Sequence, residues 1–288
     1  MTPQLSTPVQ VPPLPLRLDL DCGIVALGSC FADEIGSRLL LGGFNVEFNP
    51  FGTLYNPASI ATALERIIDC RELTGTDLVQ HEGLWHSWLH HGSFSRPTAT
   101  ETLDACNSRM LKAHEALRSA RLLMITFGTA WVYETGGNIV GNCHKLPATM
   151  FTRRRMTVEE IVAMWSPLLT KITAFNPKIS IIFTVSPIRH MADGAHGNQL
   201  SKATLLLAVD ELCSAHCAGS ATYFPSYEIV LDELRDYRFF GPDMAHPTPL
   251  AIDVVYDRFQ QATMSAATMQ QAHNNAKQRK REAHIPLH

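Results

Sequence analysis

The stretch IVALGSCFADEIG, residues 24–36, has the pattern of a buried strand that turns directly into a helix. Four apolar residues come first, and Gly28 then permits a tight turn because it adopts backbone conformations closed to other residues. The residues that follow predict an amphipathic helix over 31–41. Ser29 and Cys30 should therefore lie at the N-terminus of this helix, where the first strand ends.

Two later apolar runs repeat this strand pattern. LLMITF at 122–127 precedes a predicted helix over 158–172, and ISIIFTV at 179–185 precedes a predicted helix over 200–217. The runs are largely apolar rather than alternating, which is typical of strands covered on both faces. The order predicts a parallel sheet with helices on both sides, and functional residues just after the strands.

Composition excludes several classes of protein. The chain has 288 residues, 45% of them hydrophobic and 18% charged, and Lys+Arg 24 against Asp+Glu 27 gives a net charge of 24 − 27 = −3. A near-neutral chain argues against bulk binding to nucleic acid or to an anionic membrane. No apolar stretch approaches the roughly 20 residues needed to cross a bilayer.

The termini and the cysteines indicate the cellular compartment and the domain organisation of the protein. The N-terminus lacks a basic start and an apolar segment, and seven scattered cysteines fit reduced thiols better than a disulfide framework, so we expect a cytoplasmic protein. Neither end looks like core. We predict a Pro-containing segment over 1–20, one α/β domain over 21–264, and a basic C-terminal tail over 265–288, which reads as a solvated end rather than a nucleic-acid contact.

Cys30 is a chemically sensible nucleophile. A helix N-terminus stabilises a thiolate, so the position predicts a lowered thiol pKa. The alternative is a small buried hydrophobic residue. Ser29 has an alternative role of its own, as the helix N-cap.

Asp243 and His246 lie in a Pro-bounded loop near the end of the chain. At this spacing the carboxylate can fix the imidazole tautomer, so that the ring serves as a general base. The alternative is an Asp that caps a turn beside a surface His.

Together these residues resemble a known arrangement. GSCFA at 28–32 is the name-giving motif of the GSCFA family, and a nucleophile after the first strand with an Asp-x-x-His before the last helix resembles the SGNH/GDSL-type hydrolases. Further blocks follow in the family's order: NPFGT at 49–53, TFGT at 126–129, NCHK at 142–145, TVSPIRH at 184–190 and DMAHP at 243–247. The resemblance implies a three-layer α/β/α sandwich with a mainly parallel, flavodoxin-like sheet.

The resemblance also implies roles for the matched residues. Cys30 falls on the position of the nucleophilic serine, although a turn shifted by one residue would present Ser29 instead. Gly52 would supply a backbone N–H to the oxyanion. The third block of the superfamily, Gly-x-Asn-Asp, falls on residues 128–131, where the asparagine is absent; Thr129, Asn142 and Lys145 are candidate replacements.

Three other groups are weaker candidates. His144 and Lys145 can hold an anionic group or form a solvated loop, and His190 follows a strand as a substrate contact or a surface side chain. Trp85 and Trp88 form a sugar-stacking platform or pack as buried aromatics. Cysteine and histidine spacing does not predict a metal site, and no cofactor is expected.

The leading hypothesis is an ester hydrolase or acyltransferase acting on an O-acylated carbohydrate or another small polar ester. The alternative is a noncatalytic protein that binds such a ligand in the same cleft. A third reading makes Cys30 a redox-sensing thiol.

Overall fold

The described residues, 7–215 and 221–283, form ten strands and eight α-helices in this computed structural model. The strands are β1 Gly23–Gly28, β2 Asn45–Phe48, β3 Leu78–His81, β4 Leu84–Ser87, β5 Leu122–Phe127, β6 Trp131–Thr135, β7 Asn138–Val140, β8 Thr152–Arg155, β9 Ser180–Val185 and β10 Ala221–Tyr223. The helices are α1 Cys30–Gly42, α2 Pro57–Asp69, α3 Ala99–Ser119, α4 Val158–Phe175, α5 Gly194–Ala215, α6 Ser226–Glu228, α7 Pro249–Thr263 and α8 Ala266–Glu282. Short 3₁₀ turns lie between them, and a π-helical turn follows α6.

Five strands make the central sheet in the order β2-β1-β5-β9-β10, and every neighbouring pair is parallel. Within this sheet the order is 2-1-3-4-5, that of a flavodoxin-like doubly wound fold. All six residues of β5 are buried, as expected for a strand covered on both faces. The predicted three-layer α/β/α sandwich with a mainly parallel sheet is therefore confirmed.

Helices cover both faces of the sheet with separate apolar cores. One core joins the sheet to α2, α3, α4 and α5 around the fully buried Trp165. The other joins it to α1, α7 and α8 around Phe31 and Phe259. The carboxyl ends of the strands and the N-termini of α1 and α5 consequently meet at one edge.

Two small antiparallel additions lie beside the sheet. β3 and β4 form a hairpin where the sequence predicts a short strand or an ordered loop, and β6, β7 and β8 form a three-stranded sheet between β5 and α4. The second addition was not predicted. Its Gly136-Gly137 turn, with φ of 55° and 78°, is the local signal for a hairpin.

The structure differs from the sequence prediction at both ends. Leu16 and Leu18 are buried, and the backbone N–H of Leu18 donates to the carbonyl of Thr263 over 2.8 Å. Residues 266–282 are helical, and Ala272 packs against Gly42 at the end of α1. Leu16, Leu18 and Ala272 thus join the core, because isolated apolar residues suffice for a segment that pairs along an existing face. The basic run 277–281 is exposed, as predicted for a solvated end.

Helix α5 begins at Gly194, six residues before the predicted start at 200. Asn198 is therefore helical as well, and Asn198, Ser201 and Lys202 are all buried. His216 and Cys217, at the end of the predicted helix, lie outside the described residues.

Candidate active site

The turn after β1 is shaped by the close approach of β5. Gly28 has φ 141°, and a β-carbon there would lie 2.1 Å from the carbonyl oxygen of Thr126. The backbone N–H of Ser29 donates to that same oxygen over 3.2 Å. Only glycine fits this backbone, so the sequence forces the chain to turn at the strand end.

The NPFGT block braces this turn. The Oδ1 atom of Asn49 accepts the Gly28 N–H at 2.9 Å, and its Nδ2 donates to Asp33 at 2.7 Å. Thr53 donates to the other oxygen of Asp33 at 3.2 Å. Burial raises the pKa of Asp33, while these two hydrogen bonds lower it. One amide thereby connects the strand end to the first turn of α1.

Ser29 and Cys30 take different places at the helix start. Ser29 is 0% exposed and is the N-cap of α1, with Oγ accepting the Phe31 N–H at 3.3 Å. Cys30 is the first helical residue and is partly exposed. Both residues line one cavity.

The predicted lowering of the Cys30 pKa is wrong for this structure. Burial raises the pKa of the thiol, and the nearby carboxylates of Asp33 and then Glu34 raise it further. The backbone N–H groups of the helix start act in the opposite direction. The helix N-terminus therefore favours the thiolate, but desolvation and two acidic side chains outweigh it.

Asp243 and His246 form a hydrogen-bonded pair, with Nδ1 of His246 and Oδ2 of Asp243 2.5 Å apart. The other oxygen of Asp243 accepts the backbone N–H groups of Ala245 and His246, each at 3.0 Å. These bonds, with the one to the ring, hold the pKa of Asp243 far below its ordinary value. An ionised carboxylate only accepts, so Nδ1 carries the proton and the lone pair of Nε2 is left for a substrate or nucleophile.

One cavity of about 420 Å³ brings the two ends of the chain together. Its lining includes Ser29, Cys30, Tyr55, Thr129, Trp131, Asn142, Arg153, Arg189, His190 and His246. Within the described ranges, no hydrogen bond joins the Cys30 thiol to His246. The candidate nucleophile and the candidate base therefore line one cavity without a hydrogen bond between them.

Several of the candidate oxyanion donors are already hydrogen-bonded within the protein. The N–H of Gly52 donates to the carbonyl of Asn49 at 2.8 Å, and the N–H of Thr129 donates to Tyr55 at 2.9 Å. The hydroxyl of Thr129 pairs with Ser201 at 3.0 Å. Gly52 does not line the cavity. Its φ is 75°, and a β-carbon there would lie 2.3 Å from Cβ of His91. The turn that makes Gly52 necessary thus occupies the N–H that was predicted for the oxyanion.

Asn142 lines the cavity, and its Oδ1 accepts the His144 N–H at 2.8 Å. This bond orients the amide, and no other described residue is bonded to its Nδ2. The backbone N–H of Cys30, at the first helical position, is also without an acceptor in the described part of the chain. These two donors can serve an oxyanion.

His144 and Lys145 do not line this cavity. His144 is buried, donates from Nε2 to the carbonyl of Ser87 at 2.7 Å, and stacks on His86 with ring centroids 4.5 Å apart. Both residues have positive φ, 49° and 60°. His144 thereby links this tight turn to the β3–β4 hairpin, whereas Lys145 is exposed.

His190 lines the cavity as predicted for a residue after β9. Its Nε2 is buried without a partner in the described structure, and its ring meets Tyr55 edge-on at 5.8 Å. Burial lowers the pKa of His190 to about 4, assisted by the charge of Lys202. It is a neutral imidazole that faces whatever fills the cavity.

Sequence reasoning missed an aromatic and cationic wall of this cavity. Arg153 lies over the ring of Trp131 at 4.3 Å and that of Tyr133 at 5.3 Å, and it pairs with the carboxylate of Asp193. The wall belongs to β6 and β8, so predicting that sheet would have been needed to find it. Trp85 and Trp88, the predicted stacking pair, do not line this cavity.

The described residues contain no group of three or more His, Cys, Asp or Glu arranged to hold a metal ion. Among the same residues, no helix has the length and apolar character to span a bilayer.

The fold and the site together define the class of protein. It is a doubly wound α/β protein with a thiol at the first strand–helix turn and an Asp–His pair just before α7. The sequence profile of the GSCFA family matches residues 23–259, and the chain belongs to this family. No curated protein shows significant similarity to the chain.

Several solved structures are similar at low identity. A putative GDSL-like lipase from Parabacteroides merdae is 13% identical, with 88% of this chain and 99% of that chain covered and a TM-score of 0.46. A carbohydrate esterase family 3 protein from Talaromyces cellulolyticus is 9% identical, with 88% and 99% covered and a TM-score of 0.39. An acetyl xylan esterase from Butyrivibrio proteoclasticus is 12% identical, with 88% and 65% covered and a TM-score of 0.41.

Proposed function

We propose that the protein is an ester hydrolase or acyltransferase in which Cys30 is the nucleophile, His246 the general base and Asp243 the group that orients the base. One observation carries the proposal: a partly exposed thiol at a helix N-terminus and an Asp-bound imidazole line the same cavity. Ser29 is less suited to attack because it is fully buried and its hydroxyl caps α1.

The first half-reaction forms an acyl-enzyme. Nε2 of His246 takes the proton of the Cys30 thiol as Sγ attacks the ester carbonyl carbon, and the carbonyl π electrons move to oxygen. The N–H of Cys30 and the Nδ2 of Asn142 would donate to that oxyanion. When the carbonyl re-forms, the C–O bond of the ester breaks, and the leaving alkoxide takes the proton from His246.

The second half-reaction releases the acyl group. His246 removes a proton from a water or from the hydroxyl of an acceptor, whose oxygen attacks the thioester carbon. The C–S bond then breaks, and the Cys30 thiolate recovers the proton from His246. Water gives hydrolysis, and another hydroxyl gives acyl transfer.

The cavity supports a small polar ester, such as an O-acylated carbohydrate, as the substrate. Its volume of about 420 Å³ is in the range of small-molecule sites. Trp131, Tyr133 and the Arg153 guanidinium that lies over their rings form one wall against which a sugar can pack, while Arg189 and His190 offer hydrogen-bond donors and acceptors.

The test is acyl-enzyme formation with p-nitrophenyl acetate. We expect release of p-nitrophenol and, after rapid acid quenching, an acetylated Cys30 peptide in mass spectra. Cys30→Ala and His246→Ala should abolish both signals, and Ser29→Ala should retain acetylation if it still folds. Cys22→Ala is the matched control, since Cys22 is a partly exposed thiol outside the cavity.

Unchanged turnover in Cys30→Ala and His246→Ala would contradict the proposal. Acetyl on Ser29 instead of Cys30 would reassign the nucleophile within the same mechanism.

A second candidate is a noncatalytic protein that binds the same ligand class. It is favoured by the raised pKa of Cys30 and by the missing hydrogen bond from the described His246 to the thiol. Calorimetry with acetylated oligosaccharides separates the two: binding without turnover, unaffected by Cys30→Ala, would support this alternative.

A further inference from the structure

Lys202 is a fully buried lysine beneath the candidate nucleophile. It lies in the third turn of α5 and is 1% exposed. Its ammonium donates to the carbonyl of Gly128 at 2.6 Å and to the carbonyl of Ser186 at 2.7 Å. These acceptors follow β5 and β9, so the ammonium ties together two strand ends at the edge that carries the cavity.

Among the described residues, Lys202 has no carboxylate within ion-pair distance. Burial of an ammonium is costly unless it is paired or well hydrogen-bonded, and two carbonyl dipoles offset only part of that cost. Burial accordingly lowers the pKa of Lys202 to about 7, and the negative charge of an ionised Cys30 opposes part of this lowering. The thiolate of Cys30 would therefore supply the negative charge that the buried ammonium of Lys202 lacks.

The geometry places Lys202 directly behind the nucleophile turn. A β-carbon on Gly128, whose carbonyl binds Lys202, would lie 3.3 Å from Cβ of Ser29. The other charges near Cys30 oppose ionisation, because Asp33 and Glu34 both favour the neutral thiol. A thiolate at this position needs a nearby cation. Arg153 and Arg189 also line the cavity and are solvent-accessible, whereas Lys202 is the cation near this turn that is fully buried among the described residues.

We propose that Lys202 is a positioning residue whose buried ammonium is the countercharge of the Cys30 thiolate. This inference rests on the proposed role of Cys30 as nucleophile. Lys202 acts through its charge and transfers no proton, and the thiol proton leaves for His246. The titratable groups that face the pair are Asp33 and Glu34 on α1, Tyr55, His190, Tyr227 and His246.

The test measures alkylation of Cys30 by iodoacetamide, which needs no substrate. Peptide mass spectrometry of the full chain distinguishes Cys30 from the other cysteines. Lys202→Gln retains an N–H donor for the carbonyls but loses the charge. We expect alkylation of Cys30 about tenfold slower at pH 7, with its pH profile displaced upward by about one unit.

Lys171→Gln is the matched control, because Lys171 is a half-exposed lysine paired with Asp69 on the far side of the fold. It should alkylate like the wild type. A pH profile for Lys202→Gln that overlays the wild type, in protein shown to be folded by circular dichroism, would overturn the proposal and leave Lys202 a purely structural tie.

A reciprocal measurement covers the case in which Lys202→Gln does not fold. Linkage requires that Cys30 affect Lys202 as Lys202 affects Cys30. In lysine labelled with carbon-13, the Cε signal of Lys202 should titrate at lower pH in Cys30→Ser than in the wild type. Identical titrations would refute the coupling.

The two proposals fail in distinguishable ways. If Lys202→Gln leaves alkylation unchanged while Cys30→Ala abolishes acetyl-enzyme formation, only the role of Lys202 is lost. If alkylation depends on Lys202 but no ester acylates Cys30, the proposed function is lost and the charge pair remains.

Discussion

At the residue scale, replacing Asp243 by asparagine would move one proton on the His246 ring without removing a hydrogen bond. Asn at this position keeps an oxygen to accept the backbone N–H groups of Ala245 and His246. Its NH₂ group, however, donates to Nδ1 of His246 where the carboxylate accepted. The ring proton then moves to Nε2, and the imidazole can no longer act as a base toward Cys30.

We therefore expect Asp243→Asn to lower acyl turnover by roughly 10²- to 10⁴-fold with unchanged thermal stability. The measurement is the rate of p-nitrophenyl acetate cleavage together with a melting curve. Asp236→Asn is the control, since Asp236 also caps an exposed turn, accepting the Arg238 N–H at 2.9 Å. Equal rates in Asp243→Asn and the wild type would exclude the Asp–His pair from the chemistry.

At the scale of elements, the β1–α1 turn depends on the absence of a side chain at Gly28. A β-carbon would lie 2.1 Å from the Thr126 carbonyl, and φ of 141° is strained for any L-residue. The contact is with backbone of the neighbouring strand, which cannot rotate away. Gly28→Ala should therefore cost several kcal/mol and yield protein that is unfolded or has a displaced turn.

Gly137→Ala separates strain from steric overlap. Gly137 also has positive φ, 78°, but a β-carbon there meets nothing within 4 Å. We expect this variant to lose about 1 kcal/mol in urea unfolding, much less than Gly28→Ala. Comparable losses in the two variants would show that the close approach of β5 is not what requires glycine.

The same elements show how far the sequence predicts this molecule. The strands β1, β5 and β9 were predictable because each is a short apolar run, whereas β2 and β10 are not and were missed. The candidates Cys30, Asp243 and His246 come from two motifs that are each only a few residues long. It was not predictable that the Gly52 N–H is already hydrogen-bonded, because this depends on a turn closed by the carbonyl of Asn49. Lys202 was also missed, because its burial depends on the ends of β5 and β9, which are remote from it in sequence.

At the scale of the whole molecule, buried histidines couple folding to pH. His90 is fully buried, stacks on Phe51 at 4.2 Å and pairs through Nδ1 with Ser87 at 2.9 Å. Burial lowers the pKa of His90 to about 3 and that of His144 to about 4. The nearby charge of Arg66 further lowers that of His90. These rings link the β3–β4 hairpin to the loops around the cavity.

The sign follows from proton binding. Below pH 6.5 these histidines are protonated in the unfolded chain but not in the folded chain. The unfolded state then binds more protons, so the free energy of unfolding decreases as the pH is lowered. The loss begins near the ordinary histidine pKa of 6.5 and continues toward about 4 for His144 and about 3 for His90. At pH 5 the two together should cost on the order of 4 kcal/mol relative to neutral pH.

Urea unfolding at several pH values measures this as the slope of unfolding free energy against pH. In His90→Gln the slope between pH 6 and pH 4 should fall by the equivalent of about one proton, since one linked group is removed. His273→Gln, an exposed histidine on α8, is the matched control and should keep the wild-type slope. If His90→Gln and the wild type have the same slope, the acid sensitivity must arise from other groups, and His90 must already be protonated or hydrated in the folded chain.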